Sequence, residues 1–230
     1  MFGQNPARAQ DGGDGQRLWI QEVFYTLQGE GPFAGEASVF VRTGGCNIKC
    51  YWCDTDFESS TWHPDLPALI AAIETQRPPH CDLIILTGGE PFRQNIGPLV
   101  EQLLASGLRV QIETNGTLWV PLPADNRLTI VCSPKTRRLH DAIVPRIDAY
   151  KYVLAADEID PDHGLPIFST QKRGRPERLF RAPPTARIFV MPRDDGNAAA
   201  NRANRQACVQ TAMDHGYRLC LQMHKLLDLP

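Results

Sequence analysis

Short apolar runs recur along the chain, and most of them end at a cluster of glycine and polar residues. Continuous apolar runs of roughly four to eight residues are typical of strands buried in a parallel sheet, whereas alternating runs indicate half-buried strands. These patterns predict strands at 18–27, 38–42, 82–86, 108–112, 128–132, 150–154, 187–191 and 217–222.

Three longer segments have apolar residues at helical spacing. The first, 66–75, ends before Pro78 and Pro79, while the second (96–105) and the third (201–215) are each followed by a glycine. Strands that alternate with helices predict a parallel sheet with right-handed connections. About six core strands are fewer than the eight of a closed barrel, so we expect an α/β fold built as an open, partial (β/α)6-like barrel with parallel strands.

Two segments lack periodicity. Residues 1–17 are polar and glycine-rich, without the apolar centre of a signal peptide, and we expect them to form a disordered N-terminal tail. Residues 18–230 are expected to form a single domain. Within it, 155–184 carries several Arg and Pro residues and is predicted to be a solvated surface excursion.

Polar clusters begin directly after the predicted strands: TGGEP at 87–91, ETNGT at 113–117, SPK at 133–135, PRD at 192–194 and QMHK at 222–225. In α/β sheets, ligands bind at the carboxyl ends of the strands. We therefore expect these clusters to form one pocket next to the cysteine-rich segment that follows the strand at 38–42.

That segment, GGCNIKCYWCDTD, places Cys46, Cys50 and Cys53 within eight residues of one another, which indicates a metal site. A four-iron cluster normally takes four Cys thiolates, so three ligands leave one iron open to a small molecule. The alternative is a zinc site that adds His63 as the fourth ligand. The Cys-x3-Cys-x2-Cys spacing, with Trp52 just before the last cysteine, resembles the signature of the radical S-adenosylmethionine (SAM) superfamily.

Composition narrows the class of protein. The chain has 230 residues, a net charge of −2 and seven cysteines. The small net charge argues against a general nucleic-acid surface, and no apolar run approaches the length of a bilayer span. An odd number of cysteines without a secretory signal favours a reducing compartment. We expect a cytoplasmic protein with neither nucleic-acid nor membrane partners.

Two more features have both a structural and a functional interpretation. Residues 28–32, QGEGP, either make a turn or form a ligand loop in which Gln28 and Glu30 present hydrogen-bonding groups. Arg42, at the end of a predicted strand, is either a surface charge or a planar fork that binds a carboxylate.

Taken together, TLQGEG, the cysteine motif with its following Asp-Thr, TGGEP, ETNGT, SPK and the terminal HKLLDLP resemble the 7-carboxy-7-deazaguanine synthase family of radical SAM enzymes. The resemblance spans 18–230, so the first 17 residues are extra. TGGEP occurs in many radical SAM enzymes, whereas the TLQGEG start combined with the HK-x-L-x-x-P end is specific.

The resemblance implies that 6-carboxy-5,6,7,8-tetrahydropterin is converted by ring contraction to 7-carboxy-7-deazaguanine, with loss of ammonia, in queuosine or deazapurine biosynthesis. It implies a 4Fe-4S cluster, SAM as radical initiator and Mg2+ as cofactors. It also implies a flavodoxin- or ferredoxin-type electron donor and a homodimer.

The resemblance further implies a role for each matching residue. The cluster ligands are Cys46, Cys50 and Cys53, and the Mg2+ ligand is Thr55. The SAM-binding residues are Trp52, Gly88, Gly89, Glu113, Asn115, Ser133, Pro134, Lys135, Lys151, Met191 and Pro192. The substrate-binding residues are Leu27, Gln28, Gly29, Glu30, Arg42, Thr87, His224, Lys225 and the carboxylate of Pro230.

Three of these assignments have alternatives. Thr55 either offers Mg2+ a hard oxygen donor or belongs to an Asx-type turn after Asp54. At Met191, where some family members have Gln-Pro-Met-Asp, only a backbone contact with adenine is carried over, because this chain has Met-Pro-Arg-Asp. The tail that ends at Pro230 either presents its carboxylate to the pterin or packs as an apolar plug.

Two other functions are consistent with parts of the sequence. A radical SAM activase that generates a glycyl radical would need a groove for a macromolecule and usually carries additional cluster cysteines. A zinc-binding interaction module would leave the polar clusters at the strand ends unexplained. Iron and sulfide analysis of the purified protein distinguishes zinc from an iron–sulfur cluster.

Overall fold

A computed structural model describes residues 5–171 and 177–229. Within these residues, eight strands form one sheet in which every strand lies next to its neighbours in chain order. The strands are β1 (Ile20–Leu27), β2 (Ala37–Thr43), β3 (Leu83–Gly88), β4 (Arg109–Thr114), β5 (Leu128–Cys132), β6 (Ala149–Leu154), β7 (Ile188–Pro192) and β8 (Arg218–Leu219). The helices are α1 (Leu66–Gln76), α2 (Gly97–Ala105), α3 (Ala198–His215) and α4 (Met223–Leu227).

The sheet is open and mostly parallel. β1 runs antiparallel to β2, with Phe24 opposite Phe40, and each later pair is parallel. The expected α/β architecture with a partial, open barrel of parallel strands is therefore confirmed. The direction of β1 was not predicted, because an alternating apolar pattern does not specify which way a neighbouring strand runs.

The two faces of the sheet differ in chemistry. Ile84, Leu86, Val110 and Ile112 belong to the main core, which also contains the buried residues of α1 and α2. Because successive side chains of a strand point to opposite faces, the residues between them face the inside of the partial barrel. A smaller apolar cluster on that side contains Val131, Ala149, Phe189, Met191 and Cys220. The polar inner residues of this part of the sheet include Gln111 and Glu113 on β4 and Lys151 on β6.

The helix ends follow local signals. The Asp65 side chain accepts from the N–H of Ala68 and caps α1, and Asn197 caps α3 through the N–H of Ala200. α3 therefore begins at Ala198, three residues before the predicted start. It ends at Gly216, whose φ of 69° lies in the left-handed region that glycine tolerates best.

The carboxyl end of the chain differs from the prediction. The strand predicted at 217–222 is reduced to Arg218–Leu219, which pairs with β7 alone at the sheet edge. After Gln222 the chain forms the short helix α4, a segment too short to show helical periodicity. The described residues contain no helix long and apolar enough to cross a bilayer.

The N-terminal segment also departs from its prediction. Residues 5–17 do not form a loose tail, because their backbone and side chains bond to the cysteine segment and to the loop after β3. Ala7 forms a parallel bridge with Cys46, and the Arg8 N–H donates to the Cys46 carbonyl at 2.8 Å. The Gln10 amide donates to the Phe92 carbonyl at 2.9 Å. Polar composition predicted exposure, but main-chain hydrogen bonds hold this segment. The first four residues lie outside the described part of the chain.

The segment predicted as a surface excursion is also partly packed. Short bridges join Ile159 to Pro166 and Phe168 to Arg178, and Ser169 and Thr170 are buried. The prediction is therefore wrong for the buried residues Pro166, Ser169 and Thr170, whereas Phe168 and Arg178 are exposed as expected. Residues 172–176 of the excursion lie outside the described part of the chain.

Candidate active site

A cavity of about 550 Å³ lies at the carboxyl ends of the parallel strands. Its wall contains residues from the cysteine segment, from the loops after β3, β4 and β5, and from the end of the chain. The predicted site residues in this wall are Leu27, Gln28, Gly29, Glu30, Arg42, Cys46, Cys50, Trp52, Cys53, Thr55, Thr87, Gly88, Gly89, Glu113, Asn115, Ser133, Lys135, Lys151, Met191, His224 and Lys225. Pro134 and Pro192 are not part of the wall, and Pro230 lies outside the described residues.

The three cysteines of the segment are free thiols that face this cavity. Burial raises the pKa of Cys46 to about 12, and the nearby Glu90 carboxylate adds to this effect. Burial also raises the pKa of Cys50 and Cys53. Such thiols stay protonated in water, whereas a bound iron–sulfur cluster takes them as thiolates. Three cavity-facing sulfurs that the protein does not pair with one another fit the ligand set of such a cluster.

The structure does not bring His63 and the three cysteines together as the ligands of the alternative zinc site. His63 stacks on Trp19, with 5.7 Å between the ring centroids. In the described part of the chain, no group of three or more His, Cys, Asp or Glu side chains could hold a metal ion. A cluster differs from a single ion because its thiolates bind several irons, so its ligands need not converge on one point.

Glycines bring the cysteine segment close to the loop after β3. A Cβ added at Gly89 would lie 2.1 Å from the carbonyl oxygen of Gly45, and one added at Gly88 would lie 2.3 Å from that of Thr43. The Glu90 N–H donates to the Gly45 carbonyl at 3.0 Å. Close backbone packing therefore explains both glycines of TGGEP, and their contact with SAM remains a proposal.

A buried ion network crosses the cavity wall. Lys151 on β6 forms ion pairs with Glu30 and Glu113, the second at 3.1 Å. The Gln28 amide donates to Glu113 at 2.9 Å, and its oxygen accepts from the Glu30 N–H at 3.0 Å. Burial acts to raise the pKa of Glu113, but the charge of Lys151 and the hydrogen bonds outweigh it, so the pKa is lowered. Both carboxylates are thereby held in place beside the cavity.

A second basic residue lies between the cysteines and an aromatic ring. The Lys135 ammonium is 5.1 Å from the centroid of the Trp52 ring and donates to the Ser133 hydroxyl. Burial lowers the pKa of Lys135, and the Cys50 thiol opposes that shift. The SPK cluster therefore places a positive charge beside the predicted cluster ligands.

The outer part of the cavity contains residues that the sequence reasoning missed. Phe24 and Phe40 stack across β1 and β2 with their ring centroids 5.3 Å apart, and both line the cavity. Arg42 lies over the Phe24 ring and forms an ion pair with Glu22 at 2.6 Å. Thr26 is in the same wall, and its buried hydroxyl has no hydrogen-bond partner among the described residues. The period-two alternation of β1 was the available signal for these side chains.

Comparison with known proteins identifies the family. A model of the radical SAM superfamily matches residues 40–128. A protein from Rhodospirillum rubrum named 7-carboxy-7-deazaguanine synthase is 63% identical over 234 residues, which cover 100% of both chains. This chain belongs to the 7-carboxy-7-deazaguanine synthase family. A family member from Rickettsia prowazekii is 35% identical and covers 100% of this chain and 96% of its own.

The fold agrees with this assignment. The crystal structure of QueE from Escherichia coli matches 90% of this chain and 94% of its own with a TM-score of 0.65, at 24% sequence identity. As members of the radical SAM superfamily, 7-carboxy-7-deazaguanine synthases use a 4Fe-4S cluster and SAM, and the three free thiols beside this cavity fit that requirement.

The helix α4 closes the cavity on the side of the family's TLQGEG loop. A Cβ at Gly29 would lie 3.1 Å from the backbone nitrogen of Met223, so the two segments pack closely. Lys225 donates to Asp54 at 2.6 Å and to Asp194 at 2.7 Å, which joins α4 to the cysteine segment and to the loop after β7. The structure thus gives Lys225 a positioning role that the sequence did not reveal.

Glu90 of TGGEP is another positioning residue that the sequence reasoning left out. Its fully buried carboxylate accepts from the Thr114 hydroxyl and the Asn115 N–H, each at 2.7 Å, and from the Phe92 N–H at 3.1 Å. It therefore fixes the end of β4, where Asn115 enters the cavity. Burial raises the pKa of Glu90 to about 7 in spite of these three donors.

We expect Glu90→Gln to lower the free energy of unfolding by about 1–3 kcal/mol, because an amide cannot accept from all three donors. Since the folded-state pKa is raised from about 4.5, the wild type should lose stability as the pH rises from about 4.5 to 7, and the variant should lack that slope. Urea unfolding at several pH values measures both effects. Glu101→Gln, at an exposed position of α2, is the control and should stay within roughly 0.5 kcal/mol of wild type. Equal pH slopes in wild type and Glu90→Gln would contradict this role.

Proposed function

We propose that the protein is a radical SAM lyase that converts 6-carboxy-5,6,7,8-tetrahydropterin to 7-carboxy-7-deazaguanine with loss of ammonia. The end-to-end identity of 63% to a protein named for this product carries the proposal. The cavity supports it, because about 550 Å³ suits a small ligand rather than a macromolecule. An activase function would need a groove for a protein substrate, and no observation favours it.

The cysteine side of the cavity would hold the cofactors. Cys46, Cys50 and Cys53 would ligate the cluster and leave one iron open to SAM. When bound, the cluster and SAM supply the radical that begins the reaction. Trp52, Asn115 and the other predicted SAM residues apart from Pro134 and Pro192 line the adjacent wall, while Lys135 places a positive charge there.

The TLQGEG side would bind the pterin. Gln28, Glu30 and the unpartnered Thr26 hydroxyl present acceptors and donors for a ring with N–H and carbonyl groups. Arg42 would bind the substrate carboxylate at the cavity rim. The substrate carboxylate would then replace Glu22 as the ion-pair partner of Arg42. His224, whose pKa burial lowers, would face the ring as a neutral side chain.

Direct assay tests this function. The reconstituted protein is incubated without oxygen with a reductant, SAM and the carboxylated pterin, and the products are analysed by mass spectrometry. A product of the mass of 7-carboxy-7-deazaguanine is expected, together with ammonia. If SAM were cleaved reductively but the pterin were not consumed, the protein would be a radical SAM enzyme that acts on a different substrate.

Mg2+ is proposed to bind at Thr55. Its hydroxyl lies 3.4 Å from the Asp54 carboxylate, and its carbonyl accepts from the Asn5 amide at 2.8 Å, so the N-terminal segment helps to position this residue. A single protein oxygen completed by water and substrate oxygens is a common Mg2+ environment.

Thr55→Ala should raise the Mg2+ concentration for half-maximal stimulation by roughly tenfold or more, which corresponds to about 1.4 kcal/mol of binding free energy. SAM affinity should change little, because the hydroxyl would act on the substrate side. Thr55→Ser keeps the oxygen and should behave like wild type. Mg2+ titrations of turnover, with SAM binding measured in parallel, check this. An unchanged Mg2+ dependence in Thr55→Ala would remove the residue from the site.

The remaining partners are also proposals. We expect a homodimer, a flavodoxin- or ferredoxin-type electron donor and a cytoplasmic location, and light scattering of the purified protein tests the first of these. The carboxylate of Pro230 stays a predicted substrate contact outside the described residues.

A further inference from the structure

Residues that follow the bridge at Phe168 clamp the cysteine segment on both sides of Cys50. The Tyr51 N–H donates to the Thr170 carbonyl at 3.2 Å, and the Lys49 N–H donates to the side-chain oxygen of Gln171 at 3.1 Å. The Thr170 N–H in turn donates to the Lys135 carbonyl at 3.0 Å. The backbone of Thr170 is therefore held through both its N–H and its C=O group.

The polar groups of this clamp meet the Cys50 sulfur. The Thr170 Oγ1 lies 2.9 Å from Cys50 Sγ, and the Gln171 Nε2 lies 3.7 Å from it. Gln171 Nε2 also donates to Thr170 Oγ1 at 3.0 Å, which leaves the hydroxyl hydrogen free to point elsewhere. The sulfur is nearer than the alternative acceptor, the Lys135 carbonyl at 3.4 Å. Because a thiolate can only accept, both groups would donate to a metal-bound Cys50.

The other two cysteines have fewer side-chain donors. Cys46 Sγ has the Asn115 amide at 3.9 Å and a backbone hydrogen bond from Ile48, while Cys53 Sγ has a backbone hydrogen bond from Thr55 and lies 3.9 Å from the Thr55 carbonyl. Hydrogen bonds to cysteine sulfurs help to set the reduction potential of an iron–sulfur cluster. They stabilise the more negative, reduced cluster and so raise its potential. Cys50 differs from the other two cysteines in having two side-chain groups, Thr170 Oγ1 and Gln171 Nε2, that can donate to its sulfur.

We propose that Thr170 and Gln171 set the reduction potential of the cluster by donating hydrogen bonds to the Cys50 thiolate. The inference rests on the proposed role of Cys50 as a cluster ligand. Neither residue ligates iron or lines the cavity wall, so they are positioning residues that act through the cysteine. Their removal should make the cluster harder to reduce and should slow reductive cleavage of SAM under a weak reductant more than under a strong one.

The test measures the midpoint potential of the reconstituted cluster by an electron paramagnetic resonance titration, without the pterin. Thr170→Val keeps the shape and removes the donor, so its potential should fall below that of wild type. Thr170→Ser keeps the donor and should restore the wild-type value. Thr211→Val removes a buried hydroxyl on α3 and should cause no shift.

Gln171→Leu removes the second donor, together with the contacts of Gln171 with the Lys49 N–H and with Thr170 Oγ1. A smaller fall in potential is expected, because the amide is more distant from the sulfur than the Thr170 hydroxyl. If Thr170→Val fails to bind iron, the midpoint potential of Gln171→Leu tests the inference on its own. Wild-type potentials in both Thr170→Val and Gln171→Leu, at full iron content, would overturn the inference while leaving the proposed function intact. Absence of a cluster from the wild-type protein would instead reject the proposed cofactor site.

Discussion

Cys50→Ala should lose the iron–sulfur cluster and all turnover together. Three thiolates are the predicted protein ligands of a cluster that normally takes four, so the loss of one leaves too few to hold it. The same result is expected for Cys46→Ala and Cys53→Ala. Iron and sulfide content, the visible absorbance of the reconstituted protein and reductive cleavage of SAM are the three measurements.

Cys208→Ala is the matched control, because it also removes a buried thiol. Cys208 lies on α3 in the main core and outside the cavity wall, so iron content and turnover should stay at wild-type levels. Truncating its side chain should cost at most a modest part of the free energy of unfolding. A Cys50→Ala protein that still cleaved SAM reductively would show that the cluster ligands are wrongly assigned.

The fold was predictable where one local signal decides the structure. The run at 83–86 is apolar throughout because both faces of β3 are buried, and the position of β5 matched its prediction at Leu128–Cys132. By contrast, the packing of residues 5–17 depends on hydrogen bonds such as that between Arg8 and Cys46, which composition does not encode. Likewise, the apolar pattern at 217–222 did not reveal that only Arg218–Leu219 pairs with β7.

The residues of the candidate site also differ in how far the sequence could predict them. Glu113 could be assigned to the cavity because it follows the predicted strand at 108–112, whereas Lys151 lies within β6 and was assigned only through the family resemblance. Thr170 could not, since it reaches Cys50 across 120 positions of the chain through loops. Glu90 was in a recognised motif, but its donors Thr114 and Asn115 become visible only when β4 lies beside β3. Pairing between distant loops is the information that sequence patterns lack.

Lys151→Met should be the most destabilising change in the cavity wall outside the cysteines. Removing Lys151 leaves the carboxylates of Glu30 and Glu113 close together without a counter-charge, and breaking a buried pair in this way costs about 3–5 kcal/mol. SAM and substrate binding should fall as well, because Gln28 and both carboxylates lose their fixed positions. Lys225→Met is the matched control: Lys225 also bridges two carboxylates, but it is 34% exposed, so its loss should cost about 1 kcal/mol or less.

The pH dependence separates this electrostatic cause from a simple packing defect. In the wild type the pKa of Glu113 is lowered, so its contribution to stability is present above the ordinary value of about 4.5 and is lost as the pH falls below it. In Lys151→Met the charge and the hydrogen bond of Lys151 are lost. Burial, which raises the pKa of Glu113, is then opposed by the hydrogen bonds from Gln28 and Gln111 and by the charge of Arg42. Protonation of Glu113 should therefore stabilise the variant as the pH falls. The deficit in the free energy of unfolding should therefore be largest near pH 7 and shrink towards pH 4, as urea unfolding across this range would show. If the difference in the free energy of unfolding did not change with pH, Lys151 would stabilise the protein through packing and not by neutralising the charge of Glu113.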